Sequence, residues 1–310
     1  MSDCFSRHLR RLRFHGALVV AAVIALNNSL IAQGDLDDIS KIRESKRKFP
    51  NSVTDLKGLR EQKLNEFNLY IGVSDAGMRE LSECNTLWSL GLFGAEVPKT
   101  GLKGLGKLKN LKELVVLGPV VTDADLAEFK ALKNLTTLFL SSPRSAITDA
   151  GLKELRPLKN LTRLELGFAH ITDAGLRELR GLTNVTNLAV DHTGITNAGL
   201  KELGEHKILT DLNLGDTRIT DGALKELRGL KNLTELDLRN TAIADAGLKE
   251  LRELKNLTTL CLIKTRITDV GVKEIGQLKK LAKLWLNDTR ITDAGLAELR
   301  KSLPNAKIVE

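Results

Sequence analysis

The sequence contains no Ser-His-acid trio, no glycine-rich phosphate loop, no CxxC pair and no HExxH. Those absences remove acyl transfer through an activated serine, nucleotide cradling, thiol redox chemistry and zinc-dependent hydrolysis from consideration. Cysteine is scarce: Cys4, Cys84 and Cys261 are the only three, too few for a disulfide framework. Long apolar runs are missing as well. The longest, Gly16 to Leu26, has 11 residues, short of the roughly 20 that a membrane span needs.

That run follows Arg7, Arg10, Arg11 and Arg13, and small or polar residues continue to Ala32. The layout is that of a secretory signal peptide over residues 1–32, with cleavage expected after Ala32. An uncleaved signal anchor is the alternative, and only that would place the chain at a membrane. A twin-arginine reading of Arg10-Arg11 is poorly supported by the residues after it, and no cysteine follows the run to carry a lipid. Without residues 1–32 the net charge falls from +8 to +5, so much of the basic character belongs to the leader. Residues 33–72 are highly charged, with a basic run from Lys41 to Lys48. They read as a solvated linker rather than a nucleic-acid site, passing from Val53 into a degenerate capping repeat.

What the chain has in abundance is one phrase. Ile147 to His170 reads ITDAGLKELRPLKNLTRLELGFAH, and its opening isoleucine returns every 24 residues as Ile171, Ile195, Ile219, Ile243, Ile267 and Ile291. Looser copies open at Val73, Val97 and Val121. The step from Val121 to Ile147 is longer, at 26, with a bulge expected over Pro143 to Ala146. Ten copies at a fixed period mark a solenoid. Each copy begins with a short helix, for which Asp149 is the expected N-cap. Leu152 and Leu155 share the buried helical face, Lys153, Glu154 and Arg156 face water, and Pro157 stops the helix. LTRLEL then alternates as a strand, with Leu164 and Leu166 inward and Arg163 and Glu165 outward. Ten strands about 4.8 Å apart make a parallel sheet roughly 45 Å long. The last copy ends in SLPNAKIV, a final edge strand and cap.

LxxLxL followed by a small polar residue and an aliphatic one, as in LTELDLRNTAI (Leu233 to Ile243), resembles the leucine-rich repeat family. ITDAGLKEL resembles its 24-residue bacterial variety, and is also similar to the cysteine-containing repeats of F-box proteins. The resemblance spans 73–310. It implies an α/β leucine-rich repeat solenoid of about ten repeats, curved, with a concave parallel sheet and short convex helices. The chain departs from the family in placing Thr193, Thr217, Thr241, Thr265 and Thr289 where Asn is usual; a hydroxyl there can bond the turn. The cysteines of the F-box type, and any F-box, are missing.

Regular columns answer to the repeat. The Asp column from Asp149 to Asp293 is structural on that ground. So are Asn160, Asn232 and Asn256, although their NLT triplets match the N-glycosylation pattern. Cys84 and Cys261 lie in copies seven apart, roughly 34 Å at the sheet spacing, so no disulfide between them is expected. Asp191, His192, Asp211, Asp216 and Asp237 have the side chains for a metal site. Polar turn residues supplied by every copy are the plainer account, so no metal ligand and no cofactor is assigned. His170 and His206 have no better case.

The outward strand positions are the irregular ones. Phe139, Arg163, Glu165, Asn187, Asp211, Asn213, Glu235, Asp237, Lys283 and Trp285 form an expected concave binding face, exposed and acidic in its middle. The expected function is an exported protein- or peptide-binding scaffold: secreted, periplasmic or cell-surface, not an enzyme and without a nucleic-acid partner. A structural or envelope-associated spacer, and the substrate-receptor solenoid of a ubiquitin ligase as in F-box proteins, are the alternatives.

Overall fold

The computed structural model describes residues 63–69, 73–93 and 100–310. The signal segment, the basic run, the start of the capping repeat and the opening of the copy at Val97 lie outside them.

Eleven strands form one parallel sheet in strict chain order. They are β1 (Glu66–Leu69), β2 (Ser89–Phe93), β3 (Glu113–Leu117), β4 (Thr137–Ser141), β5 (Arg163–Glu165), β6 (Asn187–Ala189), β7 (Asp211–Asn213), β8 (Glu235–Asp237), β9 (Thr259–Cys261), β10 (Lys283–Trp285) and β11 (Lys307–Val309). Equivalent residues sit side by side, so Leu164, Leu188, Leu212, Leu236, Leu260 and Leu284 make one row. β1 comes from the degenerate repeat and buries Phe67 and Leu69. β11, from SLPNAKIV, pairs only with β10 among the described strands. The inserted residues of the 26-residue step close into a turn, where the Ser142 hydroxyl donates to the Gly118 carbonyl at 3.0 Å and Ser145 N–H donates to the Ser142 carbonyl at 2.9 Å. Pairing continues across it, Thr137 beside Arg163.

Short helices return the chain behind the sheet. In the copy at Ile147 an α-turn over Asp149–Leu152 continues as a 3₁₀ turn over Lys153–Leu155 and stops before Pro157. Leu152, Leu155, Leu158, Leu161, Leu164 and Leu166 have no exposed surface. They join a single core running from Phe67 to Leu303. A fully buried leucine contributes roughly 1.5–3 kcal/mol, and here each is closed over by the copies on both sides.

The polar columns bind copy to copy. Asp149 is not the N-cap: Thr148, one residue earlier, takes that role, accepting from Ala150 N–H at 3.2 Å. With the cap filled, the Asp149 carboxylate reaches forward to the next copy. It accepts from Thr172 N–H at 2.8 Å and from the Thr172 hydroxyl at 2.7 Å. Asp123, Asp173, Asp245 and Asp269 make the same pair of bonds to Thr148, Thr196, Thr268 and Thr292. These bonds hold the Asp269 carboxyl below its ordinary range. The glycine of the DAG and DVG triplets leaves room for the previous copy's carboxylate. A Cβ on Gly175 would stand 2.5 Å from Asp149 Oδ1, and one on Gly271 2.5 Å from Asp245 Oδ1.

Two further ladders begin at NLT. Asn160, Asn232 and Asn256 donate side-chain N–H to the carbonyls of Lys133, Lys207 and Lys231 at 2.9, 2.9 and 3.0 Å. The Thr162, Thr186, Thr210, Thr234 and Thr258 hydroxyls each donate to the carbonyl of the equivalent residue one copy back. After the strand, Thr193, Thr217, Thr241 and Thr265 close the turn by donating at 2.6 Å to the carbonyl three residues earlier. Lys153 and Arg156 are exposed as expected, while the helix charges also pair between copies. Glu154 is half-buried and paired with Lys130 at 3.2 Å, and Arg156 pairs with Glu178 of the next copy at 2.5 Å. Arg180 with Glu202, Arg228 with Glu250 and Arg252 with Glu274 repeat the arrangement. In-register stacking brings position 156 against position 178, a neighbourhood that does not exist within one copy.

The Asp–Thr ladder has one thin rung. Ala244 stands in the threonine column, so Asp221 receives only its backbone N–H, at 2.7 Å. Ala244→Thr adds a hydroxyl for both the Asp221 carboxylate and the helix cap. We expect it to raise the unfolding free energy by about 1 kcal/mol in urea denaturation. No gain would mean that the rung is not a source of stability.

Candidate binding face

The strand face turned away from the helices carries two rows. Glu113, Thr137, Arg163, Asn187, Asp211, Glu235, Thr259 and Lys283 make the first; Val115, Phe139, Glu165, Ala189, Asn213, Asp237, Cys261 and Trp285 make the second. All ten residues read from the sequence as a binding face lie in these rows, but not all are exposed. Arg163, Asn187, Glu235 and Lys283 are half-buried. Phe139, Glu165, Asp211, Asn213, Asp237 and Trp285 are buried, none above 7% exposure. Alternation fixes which face a side chain takes, whereas exposure depends on crowding. In-register stacking sets the members of a row about 4.8 Å apart, and the rows screen one another. Trp285 thus packs with Cys261, Ile263 and Val309. Cys261 is inside this cluster, seven strands from the copy that holds Cys84.

Beyond the strands the turns add residues that the alternation did not single out. Phe168, His192, Asp216, Asn240, Lys264 and Asp288 have φ between 49° and 65°. Such left-handed residues are uncommon, and Asn, Asp and His adopt the conformation most easily. Here it is held by backbone bonds to the next copy: Phe168 N–H to Asp191 at 3.0 Å, His192 N–H to Gly215 at 3.0 Å and Asp216 N–H to Arg239 at 2.9 Å. The His192 ring stacks on Phe168, with centroids 4.0 Å apart, and its Nε2 lies 3.3 Å from Asp216 Oδ2 and 4.0 Å from Asp191 Oδ2. Asp191, His192, Asp211, Asp216 and Asp237 thus occupy neighbouring positions. Among the described residues no three His, Cys, Asp or Glu side chains are arranged to hold a metal ion. His206 is elsewhere, in the core column of Leu158, Leu182 and Leu230, where burial pushes its pKa down. His170 is exposed.

The centre of the face is a group of buried acids around small residues. On β6, Ala189 stands between Glu165 and Asn213. A Cβ on Gly167 would lie 3.2 Å from Asp191 Oδ1, and Gly215 N–H donates to Asn213 Oδ1 at 3.0 Å. Burial raises the Glu165 carboxyl to about 8; Arg163 opposes the shift, and Asp191 and Asp211 add to it. Burial likewise raises Asp191 to about 6, with His192 and Arg239 opposing and Asp237 adding. Arg163 Nε is 3.7 Å from Glu165 Oε1, and the Arg239 guanidinium is paired with Asp237. The carboxylates are therefore not the exposed groups that the sequence suggests. Burial thus favours the protonated form of Glu165.

An acid raised from 4.5 to about 8 on folding ionises first in the unfolded chain. Its contribution to stability is intact below about pH 4.5 and is lost as the pH climbs toward 8, at up to about 1.4 kcal/mol per pH unit. The groups facing it are Arg163 on its own strand and Asp191 and Asp211 on the next two copies. Glu165→Gln should match the wild type near pH 4.5 and exceed it at pH 8 in urea denaturation. Parallel pH dependences would show that Glu165 titrates normally.

A sequence profile described as Leucine Rich repeat matches residues 158–179 and 229–251. No curated protein sequence matches the chain. Among solved structures, an internalin from Listeria monocytogenes matches with a TM-score of 0.50 and 20% identity, over 87% of this chain and 93% of that one. At that identity the likeness concerns the fold. The profile at these two repeats, the register of eleven parallel strands and the internalin-like fold agree: the chain carries leucine-rich repeats and folds as a leucine-rich repeat solenoid.

Proposed function

We propose that the chain is an exported binding scaffold that holds a protein or peptide on the sheet face turned away from the helices. One observation supports this above others. The leucine, Asp–Thr, Asn and Thr columns repeat from copy to copy, while the two outward rows change at nearly every strand. No repeating ladder dictates that variety, and a fixed frame with a variable face suits recognition of one partner. Arg163, Asn187, Glu235 and Lys283 are the half-buried residues a partner meets first; Phe139, Glu165, Asp211, Asn213, Asp237 and Trp285 lie beneath them. The arginine-rich, apolar start of the chain supports a secreted, periplasmic or cell-surface location. Among the described residues no helix is long and apolar enough to cross a membrane.

A structural spacer is the second reading, favoured by the Arg–Glu ladder that ties the helices from Arg156 to Glu274. Affinity capture from envelope and medium with the full chain separates the two. The control carries Arg163→Ala, Asn187→Ala, Glu235→Ala and Lys283→Ala together, after circular dichroism confirms its fold. We expect a partner held by the wild type and lost by the control. A partner retained by both would move the site off this face, and no partner would favour the spacer.

A further inference from the structure

One copy in the middle of the stack, opening at Ile195, departs from its neighbours at several ties at once. Gly199–Glu205 is a 3₁₀ turn throughout, with poorer hydrogen-bond geometry than the α-turns at Asp173–Leu179 and Asp221–Leu224 on either side. Asn197 stands in the Asp column, so its rung is neutral: Oδ1 accepts from Thr220 N–H at 2.8 Å and Nδ2 donates to the Thr220 hydroxyl at 2.7 Å. The charge-assisted bonds of an Asp rung are roughly twice as strong. Gly204 stands in the arginine column that ties Arg156, Arg180, Arg228 and Arg252 to the next copy, so Glu226 has its neighbour Lys225 at 3.9 Å instead. Ile208, 43% exposed, stands in the Asn column. It has no amide to give the preceding copy, whereas Asn184 and Asn232 donate to the carbonyls of Lys159 and Lys207 at 2.8 and 2.9 Å.

The same copy places an imidazole in the core. His206 takes the position of Leu158, Leu182, Leu230 and Leu254, is 1% exposed, and its Nδ1 has no hydrogen-bond partner. A neutral ring leaves one weak acceptor unmet there. A charged ring makes Nδ1 a donor and buries a cation among leucines, which costs far more. The charged groups on the packed elements are largely engaged with one another. On the preceding helix Arg177 and Arg180 pair with Glu202, and Glu178 with Arg156. On the following turn Arg228 pairs with Glu250 and Lys225 with Glu226. Glu205, 3.8 Å from Arg180, is the carboxylate that acts on the ring. With the Leu179 and Leu203 carbonyls it favours the cation, and burial outweighs all three. Lys207, next in the chain, is exposed.

We propose that the copy at Ile195 is an acid-operated joint, in which protonation of the His206 ring releases the helical side of that copy while the copies around it stay folded. Stability in a stack is a sum over neighbouring interfaces, so one weakly tied unit can open by itself. The ring's pKa is lowered from 6.5 by folding, so the opened copy takes up the proton first. Closure is intact above about pH 6.5 and weakens as the pH falls, by up to about tenfold per pH unit until the folded ring itself titrates. The copy carries β7, with Asp211 and Asn213, so the joint lies behind the middle of the open face.

The test is amide hydrogen exchange read by mass spectrometry on the full chain at pH 7.5 and pH 5.5, with rates corrected for intrinsic exchange at each pH. Residues 199–210 are compared with the equivalent residues 175–186 and 223–234 on either side. We expect 199–210 to be the least protected of the three at pH 7.5, and to lose up to about tenfold more protection by pH 5.5 while the other two change little. His206→Leu restores the leucine column and should abolish that loss. Ile208→Asn restores the amide ladder and should raise the protection of 199–210 at both pH values without removing the pH dependence. A loss shared equally by all three segments, no loss at all, or the same loss in His206→Leu would overturn the proposal. An unchanged protection in Ile208→Asn would show that the broken ladder is not what weakens the joint.

Discussion

No copy of the 24-residue unit can satisfy its own groups. Its leucines need a neighbour on each side to leave water, and so do its polar atoms. The Asp149 carboxylate finds its donors on Thr172, one copy ahead. The Asn160 amide finds its acceptor on Lys133, one copy back. Ordering a residue costs about 1–2 kcal/mol of backbone entropy, and a buried polar group without a partner adds roughly 1–3 kcal/mol more. A lone copy faces both costs; a stacked copy still loses the entropy, but offsets it with the burial its neighbours complete and escapes the second cost. This mutual dependence fixes the register, and the register fixes every row on the sheet.

The same constraint explains why the open face can vary. Helix, turn and inward strand positions are each occupied by a ladder or by the core, which leaves the two outward residues of each strand outside the repeating columns, although Asn213 and Asp237 accept from the turns after their strands and Trp285 packs with Cys261. The frame is strong enough to tolerate what those residues bring, including the buried Glu165 with its carboxyl raised to about 8. A single domain with few repeats would pay dearly for that acid. Here the cost is local, because stability is a sum over neighbouring interfaces.

Much of this could be read from the sequence, and the misses share a cause. The period gave the number of copies, the strand rows and the leucine core, because each needs only spacing and polarity. The period also marked the Asp column as structural, but not its direction. Asp149 looks like a cap within its own copy until Thr148 is seen to hold that position. Arg156 is solvated as its position suggests, but only stacking brings Glu178 beside it. Exposure on the open face failed for a similar reason. Alternation told Glu165 and Trp285 which way to point, but not how closely their neighbours would stand. What one copy does is visible along the chain; what two copies do together requires the stack.

The most direct test of that dependence is a double-mutant cycle between copies, with Asp149→Ala, Thr172→Ala and the pair, measured by equilibrium urea denaturation. The hydroxyl's separate contribution to capping its own helix cancels in the cycle. If the carboxylate of one copy is held by the next, the two changes should be non-additive, with a coupling of about 1–2 kcal/mol. Effects that add to within about 0.3 kcal/mol would contradict the account and show that the Asp–Thr bonds do not tie one copy to the next.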